Sequence, residues 1–155
     1  MPTHAEKRRL PHSQAQLFDL VADVENYPKF LPWCVACRVE RREGNVLWAD
    51  LVVGFKMLRE KFTSKVTLER PDRVHVEYLR GPFRYLNNHW TFTQLPEGGT
   101  EIDFYIDFEF RSKVLQKLMG AVFNEAVRMM VGAFEKRARE LYGDEPTAAP
   151  TPRVL

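Results

Sequence analysis

The residues best suited to chemistry in this chain are its carboxylates, thiols and imidazoles, and their spacing argues against a reaction at each. Glu101, Asp103, Asp107 and Glu109 recur with a period of two in EIDFYIDFEF. Two such carboxyls would serve general acid–base catalysis if burial or a neighbour drove their pKa values apart. They alternate instead with Ile102, Phe104, Ile106, Phe108 and Phe110, which sets them on the wet face of a half-buried strand. Cys34 and Cys37 in CVAC have the spacing of a redox or metal pair. In a regular strand beginning near Cys34, residues three apart point to opposite faces, so the sulfurs would be separated unless the chain turns there. His4, His12, His75 and His89 lack ligand spacing, and no nucleophile elbow, phosphate-binding glycine loop or Ser-His-Asp order is present. The expectation is no catalytic residue, no metal and no cofactor.

Binding is better served. DVENYPKFLPWC places Tyr27, Phe30, Leu31 and Trp33 around Pro28 and Pro32, where a polar turn would be usual. These aromatics either plug one end of a core or form the rim of a cavity, stiffened by the two prolines. In RYLNNHWTF, Asn88 shares its phase with Leu86, Trp90 and Phe92, so a polar amide faces the apolar side. It must be satisfied there, either by a backbone group or by the head group of a ligand. His89 takes the opposite phase with Asn87 and Thr91. Gly120 interrupts an apolar helical stretch, which marks either close packing or cavity space, and Met119, Met129 and Met130 would supply adaptable walls. GFKMLREK sets Phe55, Met57 and Leu58 beside Lys56, Arg59 and Lys61, the pattern of an ordinary hairpin or of a tip that enters a membrane interface.

The elements that must hold these residues follow from periodicity. Ser13 is the expected N-cap of a helix on which Leu17, Leu20, Val21 and Val24 recur at helical spacing. From Cys34 to Phe110 the period is two, with turns at Glu43-Gly44-Asn45, Pro71-Asp72, Gly81-Pro82 and Glu97-Gly98-Gly99, which predicts a meander of antiparallel strands. Phe62, Ser64, Val66 and Leu68 fall in one inward phase, and Val74, Val76 and Tyr78 in another. Ser112 caps a proline-free run to about Tyr142, roughly 45 Å of helix at 1.5 Å per residue. Its apolar stripe runs from Leu115 through Leu118, Met119, Val122, Phe123, Ala126, Met130, Ala133 and Phe134 to Leu141. A curved antiparallel sheet wrapped around one long C-terminal helix is the economical assembly, an α+β helix-grip with an internal apolar cavity where sheet and helix part.

With 155 residues and 45% of them hydrophobic, the chain suits one domain, expected over 1–143, with a disordered tail over 144–155. A net charge of +2 gives no general grip on nucleic acid, and DNA is not an expected partner. No run of about 18 apolar residues and no signal-peptide core is visible, which points to a cytoplasmic protein.

VADVENYPKFLPWC, GFKMLREKFTSKV and GPFRYLNNHWTF together resemble the coenzyme Q-binding family of START-like domains, of the polyketide cyclase/dehydrase type. That family is similar in turn to the ribosome-associated toxins of the RatA type. The resemblance spans about Thr3 to Tyr142 and rests on three separated motifs in order. The Trp33-Cys34 pair after Pro32 is closer to the quinone-binding branch, and Cys37 departs from it where a small hydroxyl residue would stand. What the resemblance implies is binding of ubiquinone or a related polyprenyl lipid without catalysis, in support of respiratory electron transport or quinone biosynthesis. The ligand-binding residues would be Phe30, Leu31, Trp33, Phe62, Val76, Tyr78, Phe83, Asn88, Trp90, Leu115, Met119, Val122 and Phe123. Phe55, Lys56, Met57, Leu58 and Arg59 would dock on a membrane. The alternatives are a ribosome-directed inhibitor of translation initiation, using Arg8, Arg9, Arg38, Arg41 and Arg42, and a cyclase or aromatase of the wider superfamily.

Overall fold

The computed structural model describes residues 3–31, 33–55 and 58–143, without the side chains of Phe55, Leu58, Met119, Ala121, Val122 and Asn124. Pro32, Lys56, Met57 and the tail expected over 144–155 lie outside the described residues. The strands are β1 (Thr3–Leu10), β2 (Cys34–Glu43), β3 (Val46–Phe55), β4 (Leu58–Glu69), β5 (Arg73–Arg80), β6 (Phe83–Gln94) and β7 (Thr100–Phe110). The helices are α1 (Gln14–Ala22) and α2 (Lys113–Tyr142), with a 3-10 turn at Val24–Lys29. All seven strands form one antiparallel sheet in the order β1-β7-β6-β5-β4-β3-β2. From β2 to β7 each strand pairs with the next in sequence, which is the predicted meander, and its four turns fall where predicted. This is the helix-grip architecture, an α+β fold.

Local chemistry sets the boundaries. Ser13 closes a capping box: its Oγ accepts from Gln16 N at 3.0 Å and the Gln16 side chain accepts from Ser13 N at 2.9 Å. Ser112 caps α2 by accepting from Leu115 N at 3.2 Å. The turn at Gly81 requires glycine, because a Cβ there would lie 2.6 Å from Phe62 Cβ at a φ of +148°.

β1 is a strand that the sequence pattern does not announce. Its inward face ends on the buried Leu10, but the three inward positions before it are His4, Glu6 and Arg8, so it carries no apolar alternation to read. They are partnered instead: His4 Nε2 lies 2.8 Å from Glu6 Oε1, Arg8 Nε donates to Glu6, and Arg8 Nη1 donates to Glu135 Oε1 at 2.8 Å. The last of these ties β1 to α2.

The concave face of the sheet carries the core. Trp90, Phe92, Phe104 and Phe108 are buried on it with Leu47 and Val74, in the phases that alternation indicates, while Glu101, Asp103, Tyr105, Asp107 and Glu109 take the other face. α1 packs its Leu17, Phe18, Leu20 and Val21 over one end. α2 is held mainly by α1, β7 and β1 and stands off from the middle of the sheet. The helical stripe is narrower than periodicity suggests, since Leu118 is 61% exposed and Leu141 49%, and Met129, expected as a cavity wall, is 48% exposed and does not line the cavity. Gly120 is exposed, and a Cβ there would meet nothing within 4 Å, so close packing does not account for it.

Candidate functional site

Where α2 stands off, a cavity of about 240 Å³ lies between helix and sheet. Phe123 and Phe134 mark its length on α2, about 16 Å apart along the axis at 1.5 Å per residue. Each belongs to an aromatic cluster that closes one end. Around Phe134 stand Tyr27 at 5.3 Å, Phe30 at 5.2 Å and Trp90 at 5.0 Å between ring centroids, all nearly perpendicular or steeply tilted. At the other end Phe83 meets Phe62, Phe108 and Phe110 at 5.4, 5.4 and 4.7 Å, and Phe108 meets Phe123 at 5.1 Å.

The oily loop divides between the two roles its composition allows. Tyr27 and Phe30 plug the core around Phe134; the Tyr27 hydroxyl donates to the Val21 carbonyl, and burial pushes its phenol far above the usual range. Tyr27 also borders the cavity, whereas Phe30 does not: it is half-buried, with the Arg137 guanidinium 5.5 Å from its ring. Leu31 and Trp33 line the cavity. Trp33 is held from two sides, its indole N–H donating to Ala126 O at 3.0 Å and its carbonyl accepting from Gly54 N at 2.8 Å.

Of the other sequence-derived candidates, the structure brings Phe62, Val76, Phe83, Asn88, Trp90 and Phe123 to the cavity. Tyr78 and Leu115 do not line it. The Tyr78 ring packs against Phe62 and Phe83, and its hydroxyl accepts from Phe83 N at 3.0 Å; it is a wall behind the wall. Leu115 lies near the start of α2, half-buried against the edge of the core. Met119 and Val122 are on α2 with side chains outside the described set. Phe55 and Leu58 pair across β3 and β4, and Arg59 is exposed; the tip between them lies outside the described residues. The lining that sequence reasoning does not single out includes Val53, Val66, Phe104, Ile106, Val127 and Phe134. The inward phases of β4 and β7 and the apolar stripe of α2 already point to four of them, Val66, Phe104, Ile106 and Phe134.

Polar groups are few in this wall. Asn88 donates from Nδ2 to the Tyr105 carbonyl at 2.9 Å, the backbone partner that its phase demands. Ser64, buried on β4, also borders the cavity. Cys34 lines it as well, and here the structure corrects an expectation. A bulge between Cys34 and Ala36 shifts the phase of β2, so that Cys34 pairs with Val53 and Cys37 with Leu51, both cavity-facing positions of β3. Cys34 and Cys37 therefore face the same side. Both are free thiols, pushed up by burial to about 11 and about 12, and so stay protonated. Among the described residues no group of histidines, cysteines and carboxylates could hold a metal.

An apolar cavity of this size has a clear energetic consequence. An apolar ligand of matching shape would take this lining out of water, a gain of about 25 cal/mol for each Å² of apolar surface covered, less the cost of association. Such a site selects by shape and desolvation and offers no charge to a polar metabolite.

Comparison with known proteins agrees with the geometry. A family model described as polyketide cyclase / dehydrase and lipid transport matches residues 10–135. The chain is 40% identical over 137 residues to a protein of Rickettsia prowazekii named ribosome association toxin RatA, covering 85% of this chain and 92% of that one. It is 35% identical over 152 residues to the mitochondrial coenzyme Q-binding protein COQ10 homolog B of Xenopus laevis, covering 94% of this chain and 62% of that one. The solution structure of an 18 kDa protein from Caulobacter crescentus superposes with a TM-score of 0.74 at 40% identity, covering 92% of this chain and 99% of that one. With an apolar cavity under the long helix and a family model spanning most of its length, the chain belongs to the polyketide cyclase / dehydrase and lipid transport family of START-like domains.

Proposed function

We propose that this chain binds ubiquinone or a related polyprenyl lipid in the cavity, as a carrier or chaperone supporting respiratory electron transport or quinone biosynthesis, and that it does no chemistry on the ligand. The observation that carries this reading is the wall itself. Aromatic rings close both ends, aliphatic side chains fill the sides, and the carboxylates that could act as acid and base lie on the opposite face of the sheet. Burial of isoprenoid carbons at about 0.8 kcal/mol per CH2-sized group supplies affinity without a charge in the site. The likeness to a protein named for coenzyme Q binding supports the choice of ligand. The cavity is below the roughly 300–1,000 Å³ of common ligand sites. It therefore takes a head group and the first part of a tail, and the remainder stays outside, in contact with a membrane. The β3–β4 hairpin, from Phe55 through Lys56, Met57 and Leu58 to Arg59, is the proposed docking element. Among the described residues no helix is long and apolar enough to cross a membrane.

A second reading has its own observation, the likeness to proteins named ribosome association toxin RatA. The basic residues it would use are unequal. Arg8 is committed to Glu6 and Glu135, Arg9 lies by Glu101, Arg42 by Glu25, and Arg41 over the Trp48 ring; Arg9, Arg38, Arg41 and Arg42 are all exposed, the last three on β2, an edge strand. A salt-sensitive association with ribosomal subunits that Arg38, Arg41 and Arg42 substitutions abolish would support it.

Extraction of the purified protein with organic solvent, followed by mass spectrometry of the extract, tests the first reading. A quinone or polyprenyl lipid in stoichiometric amount supports it. An extract free of lipid, from protein that also fails to take up added quinone, contradicts it.

A further inference from the structure

Among the described residues, one fully buried side-chain oxygen on a residue of the cavity wall has no partner. Ser64 is 1% exposed and borders the cavity, and its Oγ makes no hydrogen bond. The other buried side-chain nitrogen or oxygen in this condition, again among the described residues, is His12 Nδ1, whose ring lies beside Tyr142 and Gly143 at the C-terminal end of α2. A dry hydroxyl is unfavourable, and alanine would fit the same strand position without that penalty.

The neighbours of Ser64 explain its isolation. In register it stands between Ala49 on β3 and Tyr78 on β5. Ala49 offers only a methyl group, and the Tyr78 hydroxyl is engaged with Phe83 N, so neither cross-strand neighbour pairs with Ser64. Asn88 stands two strands across and one inward step along, with an amide N–H already given to Tyr105. Ser64 is therefore an unpaired hydroxyl buried in the apolar wall next to the Phe62–Phe83 aromatic end.

We propose that Ser64 is the polar anchor of the cavity. Its hydroxyl donates to a carbonyl oxygen of an otherwise apolar ligand and seats the oxygenated ring at the Phe62–Phe83 end. The site thereby prefers a quinone-like head to a plain hydrocarbon of the same outline. The inference rests on the lipid-binding reading above and adds to it which end of the ligand is recognised, and by what.

Two probes separate the claims: a ubiquinone with a decyl tail, and decylbenzene, which keeps the tail and ring but has no carbonyl. Each is titrated into the wild type, Ser64→Ala and Ser64→Thr, with the carbonyl stretch of the bound quinone read by infrared difference spectroscopy. The expected result is that Ser64→Ala weakens the quinone by about five- to tenfold, as for one hydrogen bond, and leaves decylbenzene within about twofold. One carbonyl band lies lower in the wild type, rises in Ser64→Ala and lies low again in Ser64→Thr. Because Ser64→Ala removes an unpaired group, its thermal midpoint in the absence of ligand is no lower than that of the wild type. Unchanged quinone affinity and carbonyl bands in Ser64→Ala overturn the anchor while leaving a lipid cavity intact. Equal loss of both probes reduces Ser64 to a packing residue and also overturns it. If neither probe binds the wild type, the lipid reading falls and the anchor with it.

Discussion

The indole N–H of Trp33 donates to the main-chain carbonyl of Ala126 at 3.0 Å, joining the loop before β2 to the middle of α2 across 93 residues of chain. Both residues line the cavity, so this bond fixes the width of the opening between loop and helix. A rim held this way loses less freedom when a ligand arrives than one ordered only on binding.

Trp33 and Phe134 should consequently respond differently to truncation. Trp33 is half-buried at the rim, whereas Phe134 is 4% exposed and touches Tyr27, Phe30 and Trp90. Phe134→Ala should cost about 3–5 kcal/mol of folding stability. Trp33→Ala should cost about 1–2 kcal/mol, mostly the lost hydrogen bond and part of its packing, and should reduce quinone retention more than that loss explains. Denaturant unfolding and lipid retention on the two variants check this. A large loss of stability in Trp33→Ala with undiminished lipid binding would make the whole loop a plug.

The thiols give a second expectation. With Cys34 and Cys37 pushed up to about 11 and about 12 by burial, neither offers thiolate at neutral pH. Alkylation by iodoacetamide at pH 8 should be slow in the folded protein and fast after denaturation. Rapid modification of the folded protein, or tight zinc binding by the pair, would contradict the protonated, inward-facing arrangement.

How much of the molecule is legible in its sequence can be judged from particular residues. The phases of β6 and β7 follow from strict alternation, which by itself sets Asn88 and Trp90 on the inner face. Ser13 and Ser112 announce their helices by type and position. The bulge after Cys34 leaves no mark in a pattern of apolar and polar letters, because Val35 and Ala36 fit either phase, and it reverses the predicted relation of the two thiols. β1 is hidden because its inner positions are filled by an ion-pair network in place of hydrophobic side chains. The split of the oily loop into the plug residue Phe30 and the rim residue Trp33 depends on where Phe134 and Ala126 sit in space, information that sequence spacing within the loop does not contain.

That network on β1 makes stability depend on pH with a definite sign. Burial alone would raise Glu6 and Glu135, but hydrogen bonds from His4 and Arg8 to Glu6, and from Arg139 and Arg8 to Glu135, outweigh it and hold both below the ordinary 4.5. Carboxyls lowered in the folded state contribute stability that is fully present above their unfolded value and is lost as pH falls through the folded one. The wild type should exceed Arg8→Met in thermal midpoint above about pH 5, by a margin that shrinks as the pH falls below about 4.5. A margin that stays constant down to pH 3 would show that Arg8 acts through packing alone.

The proposed docking hairpin predicts a change in location without a change in fold. Replacing Phe55, Met57 and Leu58 together by serine should reduce co-sedimentation with anionic vesicles several-fold and leave the circular dichroism spectrum unaltered. Equal sedimentation of variant and parent would remove the hairpin from the account.

The central claim, a lipid in the cavity, is tested most directly by tryptophan emission. Of the three tryptophans, Trp33 and Trp90 line the cavity, while Trp48 lies beneath the Arg41 guanidinium 3.9 Å from its ring. In a Trp48→Phe background, titration with a short-tailed ubiquinone should quench the remaining emission along a saturable curve that ends at one ligand per chain. Emission that stays unchanged up to the solubility limit of the quinone, in protein shown to be folded and free of prior ligand, would contradict it.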